Sequence, residues 1–293
     1  MDGVLVVDKP QGLTSHDVVA GARRLLGEPR IGHTGTLDPL ATGVLPLVIG
    51  RATRLVRFLA ASDKEYDATI RFGVTTDSYD ITGVETSRTD AVPSSEDLLR
   101  ALAALTGEYA QMPPAYSAKK VGGRRAYALA RGEGDVALPE VPVRVDRAAL
   151  LEFDDGRARV LIVCSAGFYV RSFAHDLGQR VGTGACLEAL RRTRAGDFTL
   201  ATAMRLEEVH EGRRVAERLV PLHALLATWP AVTLTDRGRD RVAHGRELED
   251  GDYIGTGPRD PAWIRLLDES GALVAMGTPG PRPGSLHPAV VLI

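Results

Sequence analysis

The chain has 293 residues, 44% hydrophobic and 25% charged, with a formal net charge of −2 at pH 7. This excludes a disordered chain and a protein coated in basic surface, and no apolar run approaches the roughly 18 residues of a spanning helix. Residues 1–8 lack the basic start and long apolar core of a signal peptide. Cys164 and Cys186 alone make neither a disulfide framework nor a four-ligand zinc site, so a reduced, cytoplasmic protein is expected. In chain order, residues 4–7 predict a strand that turns at Lys9-Pro10-Gln11-Gly12. Ser15 is the expected N-cap of a helix through Leu26, with Val18, Val19, Leu25 and Leu26 as its apolar positions. A Gly/Thr-rich stretch over 32–36 leads to Asp38-Pro39. Residues 44–49 then read as a buried strand, and Ala52, Leu55, Val56 and Leu59 as one helix face.

Tyr66, Ala68, Ile70 and Phe72 alternate with polar residues, the pattern of a half-buried strand. Asp155-Gly156 between apolar runs predicts a hairpin. Val170, Phe173, Ala174, Leu177 and Val181 have the spacing of an amphipathic helix. Strands and helices mix without a regular βαβ repeat, which gives an α+β fold with a mixed, largely antiparallel sheet. Beyond Trp229-Pro230 the chain changes character. A short helix over 236–243 ends at His244-Gly245, and strands over 263–267, 273–276 and 289–293 suggest a small β-barrel module. The division is thus a first domain over 1–228, with an excursion near 112–142, and a second over 229–293.

Charge distribution says more than its total. Thirty-two of the 36 basic residues are arginine, and the lysines are Lys9, Lys64, Lys119 and Lys120 alone. Base composition of the genome or heat adaptation is the ordinary reading of that bias. Between Ser117 and Arg131 stand Lys119, Lys120, Arg124, Arg125 and Arg131 with no acid, a plausible phosphate-binding arm.

Several common sites are absent. No lysine follows a glycine, so there is no P-loop. Gly182-Thr183-Gly184 lacks the third glycine and preceding strand of a dinucleotide fingerprint, so no nucleotide cofactor is expected. No helical His-x-x-x-His pair or deaminase pattern offers zinc. Ser172, His175 and Asp176 have the composition of a triad, but neighbours on one helix cannot converge as a triad does, and surface positions are expected for them. What remains is the stretch from Gly32 through Leu45, a glycine-hinged loop presenting one carboxylate, Asp38, before a proline. An Asp-Pro pair alone is more often a turn or an N-cap.

The extended pattern Gly32-His33-Thr34-Gly35-Thr36-Leu37-Asp38-Pro39-Leu40-Ala41-Thr42-Gly43 resembles the signature of the TruB family of pseudouridine synthases. Asp8-Lys9-Pro10-Gln11-Gly12-Leu13-Thr14-Ser15-His16-Asp17 is similar to that family's N-terminal motif. Lys64-Glu65-Tyr66, Thr76-Asp77-Ser78-Tyr79-Asp80, Gly167-Phe168-Tyr169-Val170-Arg171-Ser172 and Leu190-Arg191-Arg192-Thr193 follow in order. Gln111-Met112-Pro113-Pro114 onward, with Lys119, Lys120, Arg124 and Arg125, resembles its RNA-gripping insertion. The match covers roughly residues 3–223, and residues 229–293 resemble the PUA-like domain found there. Phe168 stands where the family commonly has Thr, and Cys186 where it commonly has His or a similar polar residue. Local RNA contacts are therefore expected to differ at both.

The resemblance implies a pseudouridine synthase fold and isomerisation of a uridine, in which the N1–C1′ bond breaks and a C5–C1′ bond forms. The expected target is the uridine at position 55 in the T-arm loop of tRNA. Such chemistry needs a carboxylate and no metal or redox cofactor. By resemblance Asp38 is catalytic, Arg171 pairs with it, and Tyr66 stacks on the uracil with its hydroxyl in proton transfer. His33 would fill the space left by the everted nucleotide, and Tyr169 and Leu190 would wall the pocket. Lys9 is a candidate for phosphate contact or core support, and Asp80 for holding Arg171 or the pocket. Read without the resemblance, Tyr66 is core packing and Arg171 an ordinary residue of a helix start. Two other functions compete: an RNA chaperone with incidental catalytic residues, and a glycoside hydrolase using Asp38 and Asp80. The expected partner is tRNA, met by a monomer with no membrane contact.

Overall fold

A computed structural model describes residues 1–115, 139–210, 215–255 and 263–293, with the backbone of 120–121 and 124–125. Two cores lie on opposite faces of one large sheet, and the strand sequences show why. Strand β1 (Gly3–Lys9) sends Leu5 and Val7 into one core and Val4 and Val6 into the other. After a short strand β2 (Ile31–His33), β3 (Thr42–Ile49) does the same with Leu45, Leu47 and Ile49 against Val44 and Val48. Strands covered on both faces read as unbroken apolar runs, which is why 44–49 showed no alternation. Strand β4 (Lys64–Phe72) is covered on one face only. Its Tyr66, Ala68, Ile70 and Phe72 are buried, while Asp67 on the other face meets Arg159 at the surface.

The sheet continues through β5 (Gly107–Gln111), β6 (Val141–Asp154), β7 (Arg157–Cys164) and β8 (Ala185–Ala195). Its spatial order is β1, β3, β8, β4, β7, β6, β5, with residues 204–205 beside the outer edge of β1. All of these pairings are antiparallel except β3 with β8 and β1 with 204–205, so the sheet is mixed and largely antiparallel as expected. The hairpin at Asp155-Gly156 is present, with both residues at positive φ.

Three helices, α1 (Ser15–Leu26), α2 (Ser95–Ala104) and α3 (Val170–Val181), supply Val18, Leu98 and Phe173 to the first core. Their ends correct one expectation. Thr14, not Ser15, caps α1: it accepts from the Asp17 N–H while the Asp17 carboxylate accepts from Thr14 in return, a capping box. Ser15 is the first helical residue and its hydroxyl is used elsewhere. Leu25, expected on the apolar face, is exposed. Residues 50–60 are a 3-10 turn followed by a short helix instead of one helix, although Ala52, Leu55 and Leu59 are buried as expected. Ser172 and His175 are not surface residues. The Ser172 hydroxyl is buried against the Met112 carbonyl, and His175 is half-buried and stacked on Tyr79.

The C-terminal residues form a five-stranded sheet from β9 (Ala231–Leu234), β10 (Tyr253–Ile254), β11 (Ile264–Leu267), β12 (Leu273–Pro279) and β13 (Leu286–Val291). The helix Asp236–Ala243 packs on it, and the last strand begins at Leu286, ahead of the expected residue 289. This sheet has its own small core, but Leu273, Met276 and Leu292 join Val48, Leu55 and Phe58 in the second core of the large sheet. The Phe58 ring meets Trp229 and Trp263 edge-on, and Arg51 donates to the Leu292 carbonyl at 2.9 Å. Pro142 belongs to β6, where it pairs with Ala110, so the excursion near 112–142 re-enters the sheet before its expected end. Within it, Lys120–Val121 and Arg124–Arg125 pair as a short antiparallel ladder; Lys119 lies outside the described residues. No helix of the described residues is long and apolar enough to cross a membrane.

Candidate active site

The loop after β2 carries Asp38, and the chain on both sides of it is pinned. The Ser15 hydroxyl accepts from the Leu37 N–H at 2.8 Å and donates to the Leu37 carbonyl at 3.1 Å. Beyond Asp38, the Pro39 carbonyl accepts from the Gly12 N–H at 2.8 Å, and the Asp38 carbonyl from the Ala41 N–H at 3.0 Å. Gly43 follows at φ 101°, where a side chain would collide with the Arg192 carbonyl oxygen on the adjacent β8. Glycine lets β3 and β8 close together there.

Arg171 comes from the first turn of α3 and reaches the same point. Its Nε lies 3.0 Å from Asp38 Oδ2 and its Nη2 3.3 Å from Asp38 Oδ1, a two-point fork that fixes the plane of the carboxylate. The guanidinium is 8% exposed and the aspartate 41% exposed, so the acid presents itself to solvent from a buried base. Behind Arg171, Nη1 donates to the Ser78 carbonyl at 3.2 Å and lies 3.7 Å from Asp80 Oδ2. Asp80 is buried, and its Oδ1 accepts from the Thr82 N–H at 3.0 Å and the Ser78 hydroxyl at 3.1 Å. Tyr79 between them holds φ 63°, a conformation costly for a non-glycine residue, and its ring stacks on His175 with centroids 4.0 Å apart. The turn over 78–80 thus presents two acceptors to one arginine. Of the two roles read for Asp80, holding Arg171 is the one this geometry serves.

A cavity of about 340 Å³ opens between these elements, lined by Asp38, Tyr66, Tyr169, Arg171, Leu190 and Arg192 among others. Tyr66 projects from β4 with its ring buried, and burial pushes its phenol pKa above the usual 10. Leu190 and Arg192 project from β8 on the same face, Leu190 opposite Ala68 and Arg192 opposite Tyr66. Tyr169 precedes α3 with no side-chain cap. Buried Gln111 instead grips its backbone from both sides, accepting from the Tyr169 N–H at 2.9 Å and donating to its carbonyl at 3.1 Å.

Asp38, Tyr66, Tyr169, Arg171 and Leu190 are therefore brought together as the sequence predicted. His33 stands at the end of β2, outside the cavity lining, and its Nδ1 accepts from the Gly35 N–H at 3.3 Å. Burial pushes its pKa below the usual 6.5. Lys9 is no substrate contact: it is fully buried, with Nζ donating to the carbonyls of Pro10 at 2.9 Å and Leu13 at 2.6 Å. Core support, the other role read for it, is what this geometry serves. Burial pulls its pKa down to about 8, opposed by the charge of Asp38. Cys186 is fully buried in β8 and cannot meet RNA, whereas Phe168 lines the cavity. Sequence reading passed over Ser15, Gln111 and Arg192 as site residues. Arg192 had a visible signal, since it follows Leu190 by two residues on one strand face.

Residues 23–170 match the model of the TruB family pseudouridylate synthase N-terminal domain, and 171–227 that of the tRNA pseudouridylate synthase B C-terminal domain. The chain is 43% identical over 298 residues to the tRNA pseudouridine synthase B of Solibacter usitatus, covering the whole of both chains. It is 48% identical over 249 residues to that of Symbiobacterium thermophilum, covering 84% of this chain and 82% of the relative. Among solved structures, a chain in the crystal structure of a Cbf5–Nop10–Gar1 complex superposes with a TM-score of 0.76 at 25% identity, over 99% of this chain and 85% of that one. The pinned aspartate, its buried arginine and the order of motifs around them thus have a common origin: the chain belongs to the TruB family of pseudouridylate synthases.

Proposed function

We propose that the protein converts uridine 55 in the T-arm loop of tRNA to pseudouridine, with Asp38 at the reacting centre. The observation that carries this reading is the half-exposed Asp38 carboxylate, forked to buried Arg171 at the wall of a cavity of about 340 Å³. That volume lies at the small end of the roughly 300–1,000 Å³ of ligand sites, a size for one everted base and not for a helix. Tyr66 and Leu190 give the base a ring to stack on and an apolar wall, and Tyr169 closes the side. Stacking on an aromatic ring contributes about 1–3 kcal/mol per base, which offsets part of the cost of unstacking it.

The carboxylate supplies the electron pair that the isomerisation needs, as attacker or as base, while the N1–C1′ bond breaks. Once the base has turned and C5 is joined to C1′, the C5 proton leaves, and the Tyr66 hydroxyl takes part in that transfer. His33 occupies the space the nucleotide vacates, and the basic run over 117–131 contributes phosphate contacts. Residues 1–228 form the catalytic domain and 229–293 an RNA-binding domain of the PUA-like kind. A hydrolase would pair Asp38 with a second carboxylate across the substrate, but Asp80 is buried behind Arg171.

The test is tritium release from a T-arm transcript labelled at uridine C5. Wild type releases tritium in step with loss of uridine 55, and Asp38→Asn binds the transcript but releases none. Release from other uridines, or substantial release by Asp38→Asn, overturns the reading.

A further inference from the structure

Arg192 is the largest side chain fully withdrawn from solvent among the described residues, at 1% exposure. Its Nε donates to the Val44 carbonyl at 2.7 Å and its Nη2 to the Gly35 carbonyl at 3.1 Å. No carboxylate pairs with it among the described residues, whereas neighbouring Arg191, on the other face of β8, meets Asp8 at 2.7 Å. Burying a guanidinium without a counter-ion costs several kcal/mol. A leucine or methionine could fill the same wall of the cavity without that cost. The two carbonyls use donors of the guanidinium without neutralising it, so its charge is left to act on what faces it.

What faces it is Tyr66. The two residues are direct cross-strand partners in the antiparallel β4–β8 pair, so their side chains leave the sheet side by side on the cavity face. Burial alone drives the phenol away from ionising, and the Arg192 charge and its interaction with the hydroxyl work in the opposite direction. Burial is the main cause that lowers the pKa of His33, Lys9 and Lys64 around the site, and the Arg192 charge adds to the shift at each. Backbone carbonyls hold the guanidinium in place, leaving it no carboxylate to neutralise its charge. A fixed, desolvated cation beside a proton-transfer oxygen is the arrangement that stabilises charge as it develops.

We propose that Arg192 is a positioning residue for Tyr66, holding the phenol oxygen at the cavity wall and stabilising the negative charge it gains when its proton moves. This rests on the reading of Tyr66 as a proton-transfer residue. To take up the C5 proton the Tyr66 oxygen must pass its own proton on to water, and in that state it carries negative charge that a nearby guanidinium stabilises. Arg192 needs no contact with the base to do this, so its removal slows turnover and leaves substrate affinity intact.

The experiment is a double-mutant cycle with Arg192→Gln, Tyr66→Phe and the double variant, plus Arg192→Lys, measured by tritium release and by tRNA binding. Arg192→Gln lowers kcat by about 10²-fold, the scale of a lost general acid–base contribution, while KM and Kd stay within a few-fold. Arg192→Lys restores much of the loss. In the Tyr66→Phe background the Gln substitution adds little, because the two act as one unit. Fully additive losses, an unchanged kcat in Arg192→Gln, or a Kd that rises in step with the fall in kcat overturns the proposal. An unimpaired Tyr66→Phe overturns instead the reading of Tyr66 on which it rests. If Arg192→Gln does not fold, the cycle is run with Arg192→Lys, which keeps the charge but loses the fork. Its loss of kcat must then vanish in the Tyr66→Phe background, and persistence there overturns the proposal equally.

Discussion

Replacing Arg171 with methionine separates the catalytic role proposed for it from what it does for the fold. The side chain lies between a half-exposed carboxylate, Asp38, and a buried one, Asp80, with 41% and 7% of their side chains exposed. Removing one partner of a buried pair costs about 3–5 kcal/mol, because it leaves the other charge uncompensated. Two features place this case at the lower end. The Arg171–Asp80 separation is 3.7 Å, and Asp80 keeps its bonds from Thr82 and Ser78. Asp38 adds little, since water screens a half-exposed ion pair. A loss of about 3 kcal/mol corresponds to a fall in Tm of about 5 °C for 293 residues at about 2.1 cal/mol/K each. Catalysis loses a comparable amount: without the fork the carboxylate swings freely, and a misplacement of about 1 Å costs about 10²-fold in rate, about 2.7 kcal/mol. Thermal melts and tritium release read the two effects separately. Adding Asp80→Asn to Arg171→Met removes the stranded charge, so stability partly returns while turnover stays low. Turnover close to wild type in Arg171→Met would refute the role given to the fork. A Tm that Asp80→Asn fails to raise would refute the account of the stranded carboxylate.

Lys9 has a pKa of about 8 in the folded protein against an ordinary 10.5, so between those values the unfolded chain binds the extra proton. Its contribution to stability therefore grows as pH rises from about 8 to 10.5; melts should show wild type gaining on Lys9→Met across that window, and parallel curves would refute this. Gly43→Ala places a side chain against the Arg192 carbonyl at positive φ, and is expected to cost at least about 2 kcal/mol and to impair turnover by parting β3 from β8. A melt within a degree of wild type would show the strands yielding freely. Neutralising Lys119, Lys120, Arg124 and Arg125 together should raise the Kd for tRNA and flatten its salt dependence, by roughly 0.7–0.9 in the log–log slope for each phosphate left unneutralised. An unchanged slope would mean that the run is only a solvated surface. Deleting residues 229–293 uncovers Val48, Leu55 and Phe58 and should yield an unstable, aggregating catalytic unit; a soluble fragment melting like the full chain would show the shared core to be dispensable.

Sequence patterns located the elements where periodicity is strong. The alternation from Tyr66 to Phe72 and the stripe from Val170 to Val181 became β4 and α3 because each buries one face. The same logic missed the coupling of the C-terminal module to the rest. Nothing in the order of residues states that the far side of β1 and β3 is where Leu273, Met276 and Leu292 come to rest. Unbroken apolar runs in β1 and β3 did require cover on both faces, and that was the available signal. The N-cap error was of another kind. Thr14 and Ser15 are both good caps, and the choice between them depends on Leu37, whose backbone takes the Ser15 hydroxyl from twenty-two residues away.

The site divides along the same line. Asp38, Tyr66 and Arg171 were legible only as a resemblance, since a carboxylate before proline, a strand tyrosine and a helix-start arginine are each commonplace alone. Their meeting depends on residues whose work is to hold backbone in place: Ser15 at Leu37, Gln111 at Tyr169, Arg192 at Val44 and Gly35. Each spends buried polar groups on the main chain of a loop or strand end, and so fixes parts of the site that apolar packing leaves free to shift. A polar side chain that is fully buried and bonded to distant backbone has no periodicity to betray it. Its signature lies in three dimensions, as a polar residue on an apolar face directly across from a proposed site residue. Arg192 opposite Tyr66 is that signature in this fold, with a charge added.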